Sequence, residues 1–187
     1  MSAKTDIDFF SFYKDKFSPD YYGELETRQD EIDALMPYKS ILGVGSGRAI
    51  IEDYLASIGK KVTASDIDGR LVDLAKSKLQ YLTSYIVADC RNLPFPENHL
   101  EAVFSQGLLE HIKFPGQLTI LKEMWRVCSK AVVFAVPSPD YQFDSFGEEY
   151  RFSSSQWITR LKYFFNHFTV KTYRETLGTT ILGVIEK

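Results

Sequence analysis

Residues Ile41-Leu42-Gly43-Val44-Gly45-Ser46-Gly47 combine an apolar run with alternating glycines, and the apolar pattern resumes in Ile50-Ile51-Glu52-Asp53-Tyr54-Leu55. That order reads as a strand, a tight turn and a helix start. Glycine suits such a turn because it reaches positive φ without a Cβ clash and lets a ligand approach the backbone. The free N–H groups of the helix's first turn then face that ligand, which predicts a nucleotide-like cofactor. A glycine-rich turn with no ligand is the alternative, so the companions of the loop matter. Asp66 and Asp89 each follow a short β-type run. A carboxylate ending the second strand can accept from both hydroxyls of a ribose, and one ending the third can accept from an exocyclic adenine amine. Capping or turn formation is the competing account for either aspartate alone.

Elements that would position these groups follow one another regularly. Strand-like runs are Lys61-Val62-Thr63-Ala64-Ser65, Ser84-Tyr85-Ile86-Val87-Ala88, Leu100 to Ser105 and Ala131 to Val136. Helical spacing covers Glu24 to Leu35, Ile50 to Ile58, Gly69 to Leu79 and Leu118 to Val127, and Leu108 to Ile112 reads as a further helix start. The strands are nearly continuous in Val, Ile, Ala and Phe, the mark of a parallel sheet buried on both faces. Ser153 to Asn166 then reads as a helix, and Phe168 to Tyr173 with Thr179 to Ile185 as a terminal hairpin around Gly178. The expected fold is a three-layer, Rossmann-like, doubly wound α/β sheet of seven strands, mostly parallel with a C-terminal antiparallel hairpin. Ligands of such sheets bind at the carboxyl ends of the strands, near the switch in strand order, where the glycine loop, Asp66 and Asp89 all fall.

With those residues in place the chain resembles class I S-adenosylmethionine-dependent methyltransferases, from about Tyr38 to Pro137 and more weakly through the hairpin. The first motif of the family resembles Ile41 to Gly47, its second-strand acid matches Asp66, and its adenine-side motif matches Ala88-Asp89-Cys90-Arg91-Asn92-Leu93-Pro94-Phe95. Leu108-Leu109-Glu110-His111-Ile112 is similar to the family's Leu-Glu-His segment, and Glu123 to Val127 to the helix before its fifth strand. The resemblance implies S-adenosylmethionine as cofactor and S-adenosylhomocysteine as product, bound by Gly43, Gly45, Ser46, Gly47, Asp66, Ile67, Asp89, Cys90 and Gln106. One position departs: Gly43 stands where the family usually carries an Asp or Glu that helps hold the methionine amino group. A dinucleotide fingerprint would need glycine or alanine where Arg48 or Ile50 stands. An NAD(P)-dependent oxidoreductase and a catalytically silent cofactor-binding module of the same fold are the competing functions.

Methyl transfer from a sulfonium is an in-line displacement that asks for proximity, alignment and exclusion of water, with a base only where the nucleophile must lose a proton. His111, Tyr141 and Tyr150 are the candidates for such work, and packing or backbone hydrogen bonding is the alternative role of each. Asn/Asp-Pro-Pro-Tyr/Phe is not found after the fourth strand, and no Lys/Arg-rich run marks a nucleic-acid footprint. Both point to a small-molecule acceptor. Aromatic residues from Phe9 to Tyr22, broken by Pro19, and the loop Ser138 to Phe152 are expected to wall its pocket. The sequence is expected to form a single domain, with residues 1–37 as a cap, 38–137 as the cofactor-binding core and 138–187 on the acceptor side. His99, His111 and His167 lack metal-ligand spacing, so no metal is expected. Met1 to Asp6 lacks the apolar core of a signal peptide, no segment reads as a membrane span, and Cys90 and Cys128 suit a reduced compartment; a cytoplasmic protein is expected. A protein partner or a homo-oligomer remains compatible with this reading.

Overall fold

A computed structural model describes residues 8–16, 21–142, 147–175 and 178–187. Met1 to Asp6, Phe17 and Pro19 of the aromatic arm, and Phe143-Asp144-Ser145-Phe146 of the long loop lie outside the described residues. Seven strands form one sheet in the order β3-β2-β1-β4-β5-β7-β6. They are β1 (Ser40–Val44), β2 (Lys61–Asp66), β3 (Tyr85–Val87), β4 (Leu100–Gln106), β5 (Cys128–Pro137), β6 (Phe168–Glu175) and β7 (Gly178–Glu186). The first five pair in parallel, while β7 runs antiparallel to both β5 and β6. Strand order therefore reverses between β1 and β4, and the expected seven-stranded Rossmann-like sheet is the observed one.

Helices α2 (Gln29–Leu35), α3 (Ile50–Ser57) and α4 (Gly69–Lys76) cover one face, and α5 (Gly116–Val127) and α6 (Ser154–Leu161) the other. Each face has its own apolar core. Ile41, Ala64, Ala102, Phe104 and Val133 point into one, and Leu42, Val44, Val103, Val132 and Phe134 into the other. That division explains the apolar central strands, because neither face of the sheet meets water at β1, β4 and β5. A short helix, α1 (Phe9–Tyr13), lies outside this sandwich. Its N-cap Asp8 accepts from Ser11 N, and the Asp8 carboxylate also pairs with Arg70 at 2.8 Å.

Four helical expectations are corrected, and in one of them the helix read from Gly69 to Leu79 stops at Lys76. Glu24 to Leu35 is not one α-helix: Tyr21–Arg28 is 3-10 helical, and Arg28 (φ −117°, ψ 16°) leaves the helical path before α2 begins. After β4 only the single 3-10 turn Leu109–His111 forms, since Ile112 turns extended and the residue before Pro115 is sterically turned away from helix. α6 stops at Leu161 instead of Asn166, and the chain bends to bring Phe165 into the core at 5 % exposure. Among the described residues no helix is long and apolar enough to cross a membrane.

Candidate active site

The glycine loop leaves β1 at the switch point and enters α3. Gly45 has φ +65°, and a Cβ on it would stand 2.9 Å from Leu108 Cδ1, so both backbone conformation and space demand glycine. Gly47 (φ +51°) and Ala49 (φ 52°) continue the left-handed path into the helix. The turn is pinned from two strands, β2 and β3. Ser65 Oγ donates to the Gly43 carbonyl at 2.9 Å, Ser46 N to the Ser65 carbonyl at 3.0 Å, and the Tyr85 hydroxyl to the Gly47 carbonyl at 2.7 Å.

Asp66, at the end of β2, accepts from Gly47 N and from Asp68 N, each at 3.0 Å. Burial raises its carboxyl above the usual carboxylate range, and these backbone donors oppose that shift. One carboxylate thus joins the β2 end to the loop. Next to it Ile67 is 63 % exposed, an apolar side chain held out at the sheet's carboxyl edge. Beyond β3, Asp89 is half-exposed and takes a bidentate contact from Arg91, which holds its carboxyl below the usual range. Cys90 is half-buried beside it, and burial pushes its thiol up to about 12, so it is not a thiolate at neutral pH.

At the end of β4, the Gln106 amide oxygen faces Arg28 in the orientation that satisfies both groups, with Nε and Nη1 each at 2.8 Å. Arg28 also lies 3.8 Å from Glu31. Gln106 and Arg28 open onto a cavity of about 300 Å³ between the sheet edge and α1. Phe9, Phe12 and Tyr13 of α1 roof it, while Gln106, Glu110, His111, Tyr141 and Arg151 are among its walls. Tyr13 lies 3.6 Å from the point where a Cβ on Gly47 would stand, so the roof reaches the glycine loop. Phe9 meets His111 edge-on at 5.1 Å between ring centroids.

His111 Nδ1 faces the Glu148 carbonyl at 3.4 Å, and burial lowers its pKa, keeping the imidazole neutral at pH 7. Glu110 is 5 % exposed; burial pushes its carboxyl up to about 8, and Oε2 has no hydrogen-bond partner. Tyr141 lies on the cavity wall, whereas Tyr150 does not, and its backbone N–H donates to the Glu110 carbonyl at 2.6 Å. The structure therefore gathers Gly43, Gly45, Ser46, Gly47, Asp66 and Ile67 around one loop and sets Asp89 and Cys90 one strand away. Reading the sequence missed Arg28, Tyr85 and Glu52. An arginine and a tyrosine distant in the chain carry no local signal, and Glu52 reads as an ordinary acid of a helix's first turn. Among the described residues no group of three or more His, Cys, Asp or Glu is placed to hold a metal ion.

Comparison with known proteins adds to this geometry. Residues 42–136, just over half of the chain, match the family model described as a methyltransferase domain. A biotin biosynthesis bifunctional protein, BioHC, of Cellvibrio japonicus is 28 % identical over 98 residues, covering 52 % of this chain but 19 % of that protein. The chain thus spans about a fifth of that relative. Among solved structures, a putative methyltransferase in complex with the Haloferax volcanii Trm112 activator superposes with a TM-score of 0.76 at 15 % identity, covering 96 % of this chain and 97 % of that one. Magnesium protoporphyrin IX methyltransferase of Synechocystis, with bound S-adenosylhomocysteine, gives 0.72 at 14 % identity, with 88 % and 84 % covered. The chain belongs to the methyltransferase-domain family, as a class I, S-adenosylmethionine-dependent member.

Proposed function

We propose that the chain binds S-adenosylmethionine along the carboxyl edge of β1, β2 and β3 and transfers its methyl group to a small-molecule acceptor held under α1. The observation that carries this reading is the Asp66 carboxylate bonded to the glycine loop at Gly47, beside a roofed cavity of about 300 Å³. The residues present fit the donor. Gly45 and Gly47 hold the loop in the left-handed conformation that bares its backbone, Asp66 and Asp89 supply acceptors for hydroxyl and amine hydrogens, and the exposed Ile67 offers an apolar face to a flat ring. A cavity of that size suits a small acceptor better than a macromolecule.

The donor supplies a methyl group already activated on a sulfonium. What the chain contributes is alignment and a dry site. Gly45, Gly47, Asp66 and Asp89 would hold the donor, whose sulfonium would give up its methyl group to an acceptor lone pair, and the cavity walls would keep the acceptor aligned with it. Phe9, Phe12 and Tyr13 exclude water. For a hydroxyl or amine acceptor the neutral imidazole of His111 is a group on the wall able to take the proton, and Tyr141 can orient the acceptor.

Calorimetry with S-adenosylhomocysteine tests the reading. Saturable binding is expected, weakened about tenfold or more by Asp66→Ala, the loss of a charge-assisted acceptor. Failure to bind either S-adenosylmethionine or S-adenosylhomocysteine overturns it, and a radiolabelled methyl group recovered on an acceptor separates an enzyme from a silent binding module.

A further inference from the structure

Glu52 belongs to the first turn of α3, yet it is only 4 % exposed. Its carboxyl turns back across the glycine loop. Oε1 lies 2.0 Å and Cδ 2.7 Å from the point where a Cβ on Gly43 would stand, and Ser46 Oγ lies 2.6 Å from the same point. Any side chain at position 43 would therefore collide with the Glu52 carboxyl. The absence of a side chain in β1 and the placement of an acid from α3 are one arrangement, in which the acid fills the volume that Gly43 leaves.

No cation meets that carboxyl among the described charged groups acting on it. Removing a carboxylate from water is unfavourable unless a cation or several donors meet it. The charged groups acting on it are Asp66 and Asp53, both acids, and only the Ser46 hydroxyl and its own backbone N–H favour its ionised form. Tyr85, packed from β3, feels Glu52 and Asp66 together as negative charge. Burial accordingly pushes the Glu52 carboxyl up to about 7. A glutamine or methionine would fill this space without that cost. The surroundings are those of a site awaiting a positive charge.

The opposite sign stands nearby at the switch point. Gly43 pairs with Phe104 in the register of β1 and β4, and two residues beyond Phe104 the Gln106 amide holds the Arg28 guanidinium at the cavity wall. An acid over β1 and a guanidinium at the end of β4 complement an α-amino-acid zwitterion, ammonium towards the first and carboxylate towards the second. We infer that Glu52, reaching from α3 into the space over Gly43, is the carboxylate that receives the ammonium group of the methyl donor's amino-acid end. The inference rests on the proposed donor site, and it makes positions 43 and 52 a coupled pair in which either residue, but not both, carries the acid.

Two probes separate the inference from the reading beneath it: S-adenosylhomocysteine, and 5′-methylthioadenosine, which keeps the nucleoside and thioether but lacks the amino-acid end. In calorimetry with the full chain, Glu52→Gln weakens S-adenosylhomocysteine about tenfold or more and leaves methylthioadenosine within about twofold, as a lost charge-assisted contact to one end of the ligand requires. Retained methylthioadenosine binding also reports that the variant folds. Gly43→Asp alone loses affinity for both probes through the collision, and Gly43→Asp with Glu52→Ala recovers S-adenosylhomocysteine binding to within about threefold of the parent, a non-additivity expected of residues sharing one space. Binding of S-adenosylhomocysteine at pH 6.5 releases protons, seen as a dependence of the heat on buffer ionisation enthalpy, and Glu52→Gln abolishes that release. Equal effects of Glu52→Gln on the two probes, or none on either, overturn the inference while the proposed function stands. A parent chain that binds neither probe overturns both.

Discussion

Tyr85 lies in the shortest strand of the sheet and sends its hydroxyl to the Gly47 carbonyl, 2.7 Å away, at 2 % exposure. Tyr85→Phe keeps the ring and removes the donor, leaving a buried carbonyl of the loop unmet. A cost of about 1–3 kcal/mol is expected, read as a fall of a few degrees in Tm. S-adenosylhomocysteine affinity drops severalfold with it, because the same carbonyl fixes the turn; an unchanged Tm shows that the bond contributes nothing. Residues of this kind mark the limit of what the sequence discloses. Gly45 and Asp66 are legible because backbone conformation and strand-end position each restrict the residue type. Tyr85, Arg28 and Glu52 act through contacts across the sheet or helix, and their types serve equally well in ordinary packing. The buried face of α3 includes both Glu52 and Asp53, so an apolar stripe through Ile51 and Leu55 gives no hint of them. Asp53 is the simpler case, since its carboxylate accepts from Tyr81 N at 2.8 Å and Leu82 N at 2.7 Å.

α1 is an element whose attachments are mostly charged and aromatic instead of aliphatic. None of its residues is fully buried. Arg70 of α4 anchors its start, pairing with Asp8 and lying 4.8 Å from the Phe10 ring centroid, while Arg48 of the glycine loop donates to the Lys16 carbonyl at 2.9 Å just beyond its end. Exposed ion pairs and cation–π contacts are screened by solvent and each contributes little. The roof is therefore held weakly, while the sheet beneath it is held by two cores. Arg70→Ala is expected to shift the global Tm by no more than about 2 °C while raising the apparent Kd for S-adenosylhomocysteine a few fold and speeding proteolysis within residues 8–16. A large fall in Tm with unchanged affinity contradicts that division of labour. The elements themselves separate in the same way by legibility. Strands β1, β4 and β5 carry apolar runs set by two-sided burial, and the sequence discloses them, while β2 is legible as a shorter mixed run around Val62 and Ala64. The single turn Leu109–His111 and the 3-10 stretch Tyr21–Arg28 carry helical spacing, but a pre-proline residue and a backbone break at Arg28 override it.

Across the whole molecule the site sets an electrostatic cost that the rest of the fold must offset. Burial holds Glu52 at about 7 and Glu110 at about 8, against 4.5 for a free glutamate. Around Glu110 the acid Glu149 raises the value further, while Arg151 and Arg28 oppose it. Above pH 4.5 the unfolded chain releases both protons while the folded chain keeps them, so stability falls as pH rises until the folded groups also ionise near 7 and 8. Each carboxyl then costs the folded state on the order of 3–5 kcal/mol at pH 8.5. The opposite sign applies to Glu123 and Asp89, which Arg126 and Arg91 hold below the usual carboxylate range. Their contribution is present above about pH 4 and is lost in acid. The donor-free chain should therefore be most stable near pH 5 and lose Tm steadily towards pH 8.5, a trend that thermal melts across that range measure directly. Glu52→Gln and Glu110→Gln each flatten the slope, and together they remove most of it, raising Tm at pH 8.5 above that of the parent. The Glu52 change does so while weakening S-adenosylhomocysteine, so the variant that melts later is the one that binds worse. A stabilised Glu52→Gln chain with undiminished affinity would mean that the buried acid has no ligand to meet.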